Sequence, residues 1–188
     1  MKLFGDKKMF AMGYDLDLSG EYGPGVAELR VFIEDKSVCT FMNKGRIYEF
    51  KWDIRDIVEW LEEDMSRILK EEEGFPLPVI GNNAIELQKN SHLETDDQEE
   101  LDDWYDKRND WFFDHSWLSS RAGGPLPSLI FRRVGSMIEI SWDNENLYKE
   151  EEVEFLNPVG VFYVEVGYIE KVVTDFVNAF NEDLKNNS

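Results

Sequence analysis

Cysteine is nearly absent. The chain holds one, Cys39, in 188 residues, so it can form no internal disulfide and no thiolate metal centre. Cys39 falls in an expected strand, where a buried thiol is inert. Histidine is almost as scarce: His92 and His115 belong to no H-x-H or H-x-x-x-H pair, which leaves little for a metal site. No stretch approaches the roughly 18 apolar residues of a membrane span. The N-terminal residues M-K-L-F-G-D-K-K-M-F lack the long apolar core of a signal peptide. A cytoplasmic protein is expected. Positive charge is also short. Twenty Lys and Arg face forty Asp and Glu, a formal net charge of −20. Phosphate backbones and anionic membranes repel such a surface, so direct nucleic-acid and membrane binding are both disfavoured.

What is there is a globular composition, 42% hydrophobic and 14% aromatic, which can fill one core and argues against general disorder. Residues 9–18 alternate loosely and read as a strand, and Val26 to Ile33 as a second. A third is expected from Val38 to Met42. Asn43-Lys44-Gly45 reads as a three-residue hairpin loop that sets Thr40 opposite Tyr48. Tyr48, Phe50 and Trp52 would then share a core face. Asp53 is a good N-cap for a helix to about Lys70, with Ile54, Ile57, Val58, Leu61, Met65, Ile68 and Leu69 on one side. Residues 84–88 fit either a helical turn or an edge strand.

Later, Gly135-Ser136 suits a two-residue II′ hairpin pairing Val134 with Met137, Arg132 with Glu139 and Phe131 with Ile140. Leu129, Phe131, Ile140 and Trp142 would be buried. Arg132 and Glu139 would form a cross-strand ion pair contributing about 0.2–1 kcal/mol. Val161 to Val166 is strand-like, and Tyr168 to about Leu184 is an amphipathic helix. Antiparallel runs rather than strict strand–helix alternation predict a single α+β domain, a largely antiparallel sheet with helices mainly on one face.

Acid is concentrated in residues 59–73, 94–114 and 143–154, which hold seven, ten and six of the forty acids. The densest reads as an acidic amphipathic helix with Asp96 or Asp97 near its N-cap and Leu101, Trp104, Tyr105, Trp111 and Phe112 at helical spacing. Early acids suit the helix dipole, but Asp106, Asp110 and Asp114 lie beyond its reach. Ala122-Gly123-Gly124-Pro125 would end this helix, and 143–154 would be an exposed loop. Aromatic residues among charges are common interface anchors. The candidate partner-binding residues are therefore Asp97, Glu100, Asp103, Trp104, Asp106, Asp110, Trp111, Asp114, Glu150, Glu151 and Glu152, facing a basic protein partner.

Catalytic patterns are weak. His115 with Ser116, Ser119 and Ser120 lacks a G-x-S-x-G elbow. Gly123-Gly124-Pro125 is no phosphate loop. Asp110 and Asp114 beside His115 could suggest a metal, and Glu139 with Glu165 an acid–base pair, but no spacing specific to either supports them. No cofactor is expected.

The run from His115 to Asp143, H-S-W-L-S-S-R-A-G-G-P-L-P…F-R-R…I-E-I-S-W-D, is followed by F-L-N-P-V-G-V-F-Y-V at 155–164. Together they resemble segments in the immunity proteins of bacterial toxin–immunity systems, over about the last two-fifths of the chain. The resemblance implies a non-enzymatic role: stoichiometric binding that blocks a cognate toxin. A nucleic-acid mimic filling a DNA- or RNA-binding cleft is the alternative, and a small hydrolase using His115 a third.

Overall fold

Three antiparallel sheets and four helices make up the described part of the chain. The structure, a computed structural model, describes residues 1–19, 23–117 and 122–187. In the first sheet β2 (Phe10–Leu16) lies between β1 (Lys2–Gly5) and β3 (Val26–Ile33). Strand β3 also pairs with β4 (Lys36–Ser37) and β7 (Lys51–Asp53). In the second, β5 (Thr40–Asn43) lies between β6 (Arg46–Glu49) and β11 (Val153–Phe155). The third runs in the order β12 (Val159–Glu165), β10 (Met137–Asp143), β9 (Leu129–Val134), β8 (Ser116–Trp117). The helices are α1 (Arg55–Lys70), α2 (Ala84–Asn90), α3 (Gln98–His115) and α4 (Val166–Asn186). The fold is α+β, as the antiparallel runs predict.

The main core forms where α1 and α4 bury their apolar sides. Ile57, Val58, Leu61, Met65, Ile68 and Leu69 of α1 are buried, as are Ile169, Val172, Val173, Phe176, Val177 and Phe180 of α4. The Tyr14 ring meets Phe176 and Phe180 edge-on at 5.4 Å. Trp60 of α1 lies 5.5 Å from Phe131 of β9. The other face of the third sheet is covered as well. Ile130, one residue along from Phe131 and so on the opposite face, packs with Ala84, Ile85, Trp111 and Phe112 of α2 and α3. Helices thus flank this sheet on both sides, because α2 and α3 carry a second, smaller apolar cluster of their own.

The II′ hairpin has the expected register, Val134 with Met137, Arg132 with Glu139, Phe131 with Ile140, and Gly135 takes φ +60°. Its ion pair is not at the surface, however. Glu139 is fully buried, because α2 lies over it. Its carboxylate accepts from Arg132 Nε at 3.1 Å, the Ala84 backbone N–H at 2.7 Å, the Ser141 hydroxyl at 3.0 Å and the Tyr163 hydroxyl at 3.4 Å.

Several expectations are corrected. The 43–46 turn has a two-residue loop, since Lys44 takes φ +50° beside Gly45 at +75°, and Thr40 therefore faces Glu49 rather than Tyr48. At Phe50 the chain passes from pairing with β5 to pairing with β3, its N–H donating to the Cys39 carbonyl at 3.2 Å and its carbonyl accepting the Leu29 N–H at 3.0 Å. Of the aromatic stripe only Phe50 is buried, while Tyr48 and Trp52 are exposed. Asp53 is not the cap residue of α1; Ile54 is, and Asp53 accepts the Arg55 N–H at 3.1 Å. Residues 84–88 are helical. Helix α3 ends at His115, not at Gly123-Gly124: the Ser116 hydroxyl donates back to the Phe112 carbonyl at 2.6 Å while Trp117 pairs with Leu129. Residues 143–154 are not one open loop, because Val153 and Phe155 are buried on β5. Strand β1 went unforeseen, four mostly exposed residues being too short to show alternation.

Candidate functional site

Helix α3 starts where its sequence says it should. The Asp97 carboxylate accepts the N–H groups of Glu99 at 3.0 Å and Glu100 at 3.2 Å. Thr95 Oγ1 accepts the Asp97 N–H at 3.2 Å and donates to the Glu100 carboxylate at 2.9 Å. These contacts satisfy N–H groups that have no partner inside the helix. Asp97 and Glu100, both placed among the partner-binding candidates, are thus engaged in starting the helix, although both remain exposed.

The inward side is aromatic. Trp111 is 3% exposed, with its ring 5.1 Å from Phe75 and 5.0 Å from Phe112. It belongs to the core and is out of a partner's reach, a correction to its place among the candidates. Trp104 is half-buried and donates its indole N–H to the Ser91 carbonyl at 3.0 Å. Arg108 also turns inward, donating to Ser91 Oγ at 2.7 Å.

The outward side is acidic. At 100° per residue, Glu99, Asp102, Asp103, Asp106, Asp110 and Phe113 fall on one stripe centred on Asp106, and all six are exposed. Asp103 pairs with Lys107 at 2.6 Å and Asp102 accepts from Gln98 at 2.6 Å. Among the described residues Asp106 and Asp110 have no hydrogen-bond or ion-pair partner. Phe113, 53% exposed, closes the stripe. Glu99, Asp102 and Phe113 were missed as candidates. The helical period alone would have found them, because they lie opposite Trp104, Trp111 and His115.

Two acidic segments converge beside α3. Arg67 of α1 lies 3.1 Å from Asp114, 3.8 Å from Asp64 and 3.7 Å from Glu73. One guanidinium therefore joins the 59–73 and 94–114 segments and leaves an excess of negative charge. Glu150, Glu151 and Glu152 are exposed but belong to another element. They sit in and beside a 3-10 turn at Lys149–Glu151, held to the second sheet by Asn43, whose side-chain amide donates to the Glu151 carbonyl at 2.8 Å.

The catalytic alternatives gain nothing from the geometry. His115 is buried, stacked 4.0 Å from the Trp111 ring, with Nδ1 2.8 Å from the Trp111 carbonyl. Donation to that carbonyl requires Nδ1 to carry the proton, and burial holds the imidazole below its usual pKa. Ser116 is committed to Phe112, whereas Ser119, Ser120 and Arg121 lie outside the described residues. Asp114 faces Arg67, not a metal position, and no group of three or more His, Cys, Asp or Glu placed to hold a metal occurs among the described residues. Glu139 is bound to Arg132 inside, while Glu165 is exposed at the end of β12. No described helix is long and apolar enough to cross a membrane.

No protein-family model matches the chain, and comparison with curated proteins finds no match. Among solved structures the fold is similar to that of CdiI from Burkholderia dolosa AUO158, at 12% sequence identity and a TM-score of 0.49, over 95% of this chain and 99% of that one.

Proposed function

We propose that this chain is a non-enzymatic acidic binding protein of the bacterial cytoplasm, an immunity protein that neutralises a cognate toxin by binding a basic surface on it. The observation that carries the reading is the outward stripe of α3. Five exposed carboxylates lie in one row, three of them (Glu99, Asp106 and Asp110) without a side-chain partner among the described residues, and an exposed phenylalanine stands at the row's end. Unpaired surface carboxylates at this density repel one another, and a basic partner relieves the repulsion while steering and speeding its own arrival. The Asp114–Arg67 junction extends the same surface; Trp104 lies on the opposite side of the helix, and Glu150, Glu151 and Glu152 are a separate acidic patch.

A row of carboxylates would also suit a mimic of nucleic acid. Phe113 supplies an exposed apolar anchor of the kind that protein interfaces use, and this favours a protein partner.

Co-expression with the product of the neighbouring gene tests the reading. That product alone should arrest growth, and this chain should restore growth and co-purify with it. A harmless product, or one that still kills while this chain is present, would remove the immunity reading. Capture of several unrelated nucleic-acid-binding proteins would replace it with the mimic.

A further inference from the structure

Strand β12 is the outer strand of the third sheet, paired only with β10 among the described strands. Two bonds bracket that ladder: the Asn144 N–H donates to the Pro158 carbonyl at 2.7 Å, and the Val166 N–H to the Ser136 carbonyl at 3.1 Å. They set its parity. In an antiparallel ladder backbone groups point alternately to either side, so Gly160, Phe162 and Val164 bond to β10. Val161 and Tyr163 turn their N–H and C=O groups to the free edge.

This edge lacks the usual defences. Natural edge strands are shortened, bulged or charged to stop another strand from adding. Here six consecutive residues, Val159 to Val164, carry no charge. The side chains beside the edge are exposed too, Val161 at 44% and Tyr163 at 43%. Charge enters only at one end. Glu165 is exposed, and Glu86 of α2 lies close enough to act on the Tyr163 phenol. Neither carboxylate has a cationic partner among the described residues; the Glu86 carboxylate accepts only from Asn82 and Asn83. At the opposite end Asp143, beside Val159, is already neutralised by Lys89 at 2.7 Å.

We infer that β12 is a docking edge for an extended strand of a protein partner, with apolar residues against Val161 and a lysine or arginine at the Glu165 end. Backbone hydrogen bonds supply the attachment and the alternate side chains the selectivity. A second copy of this chain suits the edge less well, since each copy carries a net charge of −20. The inference stands apart from the α3 reading, because the two surfaces lie on different elements.

The test uses the whole chain and two blocked peptides of alternating lysine and valine, one of them N-methylated at every second residue. Both carry the same charge, but only the first can extend a sheet. Amide hydrogen exchange is read residue by residue. The plain peptide should slow exchange at Val161 and Tyr163 by about tenfold or more, and the methylated one should not. Val161→Pro should abolish the effect while leaving the fold intact, since the lost N–H faces outward. If that variant fails to fold, Val161→Lys takes its place. Equal protection by both peptides, or none by either, overturns the proposal. Protection that depends on protein concentration without peptide also overturns it and assigns the edge to a second copy.

Discussion

Arg132 and Glu139 face each other across the β9–β10 hairpin, and α2 seals their contact from water. Directly opposed residues on a sheet lie close enough for a charged pair to form. Burial changes what the pair does for stability, because either partner alone would be an uncompensated charge. Glu139→Ala and Arg132→Ala should each destabilise by about 3–5 kcal/mol. The double variant should lose clearly less than the sum, leaving mainly the Ala84 N–H and the Ser141 hydroxyl without their acceptor. A urea-denaturation double-mutant cycle measures this, and strict additivity would show that the two side chains act independently.

His115 makes stability depend on pH. Burial holds its pKa below the usual 6.5 in the folded chain. As pH falls below about 6.5, the unfolded chain takes a proton that the folded chain refuses, so acidification favours unfolding. Stability should decline from about pH 6.5 down towards the folded pKa and be independent of this group above it. His115→Asn should be less stable at neutral pH, through the lost Trp111 contacts, but flatter in that window. Urea midpoints between about pH 5.5 and 7.5 compare the two; an unchanged slope would exclude His115 as its source.

Asp106→Lys with Asp110→Lys tests the acidic stripe. Neither carboxylate has a partner among the described residues, so stability should change by no more than about 0.5 kcal/mol. Association with a basic partner should slow by about tenfold or more at low salt, with a smaller effect as salt screens the surface. Stopped-flow or biosensor kinetics across a salt series reads both. An unchanged association rate at low salt would take α3 out of the interface.

Two glycines lie against tryptophan rings and should differ. A methyl group on Gly160 would overlap the indole of Trp142, which is buried and donates to the Asn157 carbonyl at 2.9 Å. A methyl group on Gly123 would overlap Trp52, 47% exposed and able to swing outward. Gly160→Ala should therefore destabilise by about 1–3 kcal/mol and Gly123→Ala by less than about 1 kcal/mol. Thermal melts of the two variants give the ranking, and a larger loss at Gly123 would contradict it.

Local chemistry carried much of the fold. Apolar spacing placed α1 and α4 to within a few residues, Gly135-Ser136 set the hairpin register, and Asp97 capped α3 as its position suggested. The 43–46 register slipped by one residue because it depended on whether Lys44 would accept a left-handed backbone. Composition, likewise, marked α3 as acidic and aromatic, and its period was enough to put Asp106 and Asp110 outside.

What only tertiary structure decided is which charges remain in solvent and which surfaces stay uncovered. Glu139 and Asp106 are both acids on regular elements with side chains pointing away from the main core. One is sealed because α2 lies over it; the other is bare because no described residue packs on the outward face of α3. Trp111 and Phe113 stand two residues apart on one helix, yet one is core and the other surface, since packing against Phe75 and Ile130 selects a face. Neighbours distant in sequence set these outcomes: burial depends on what the rest of the chain brings to a residue, while capping, turn type and periodicity depend only on the residues beside it.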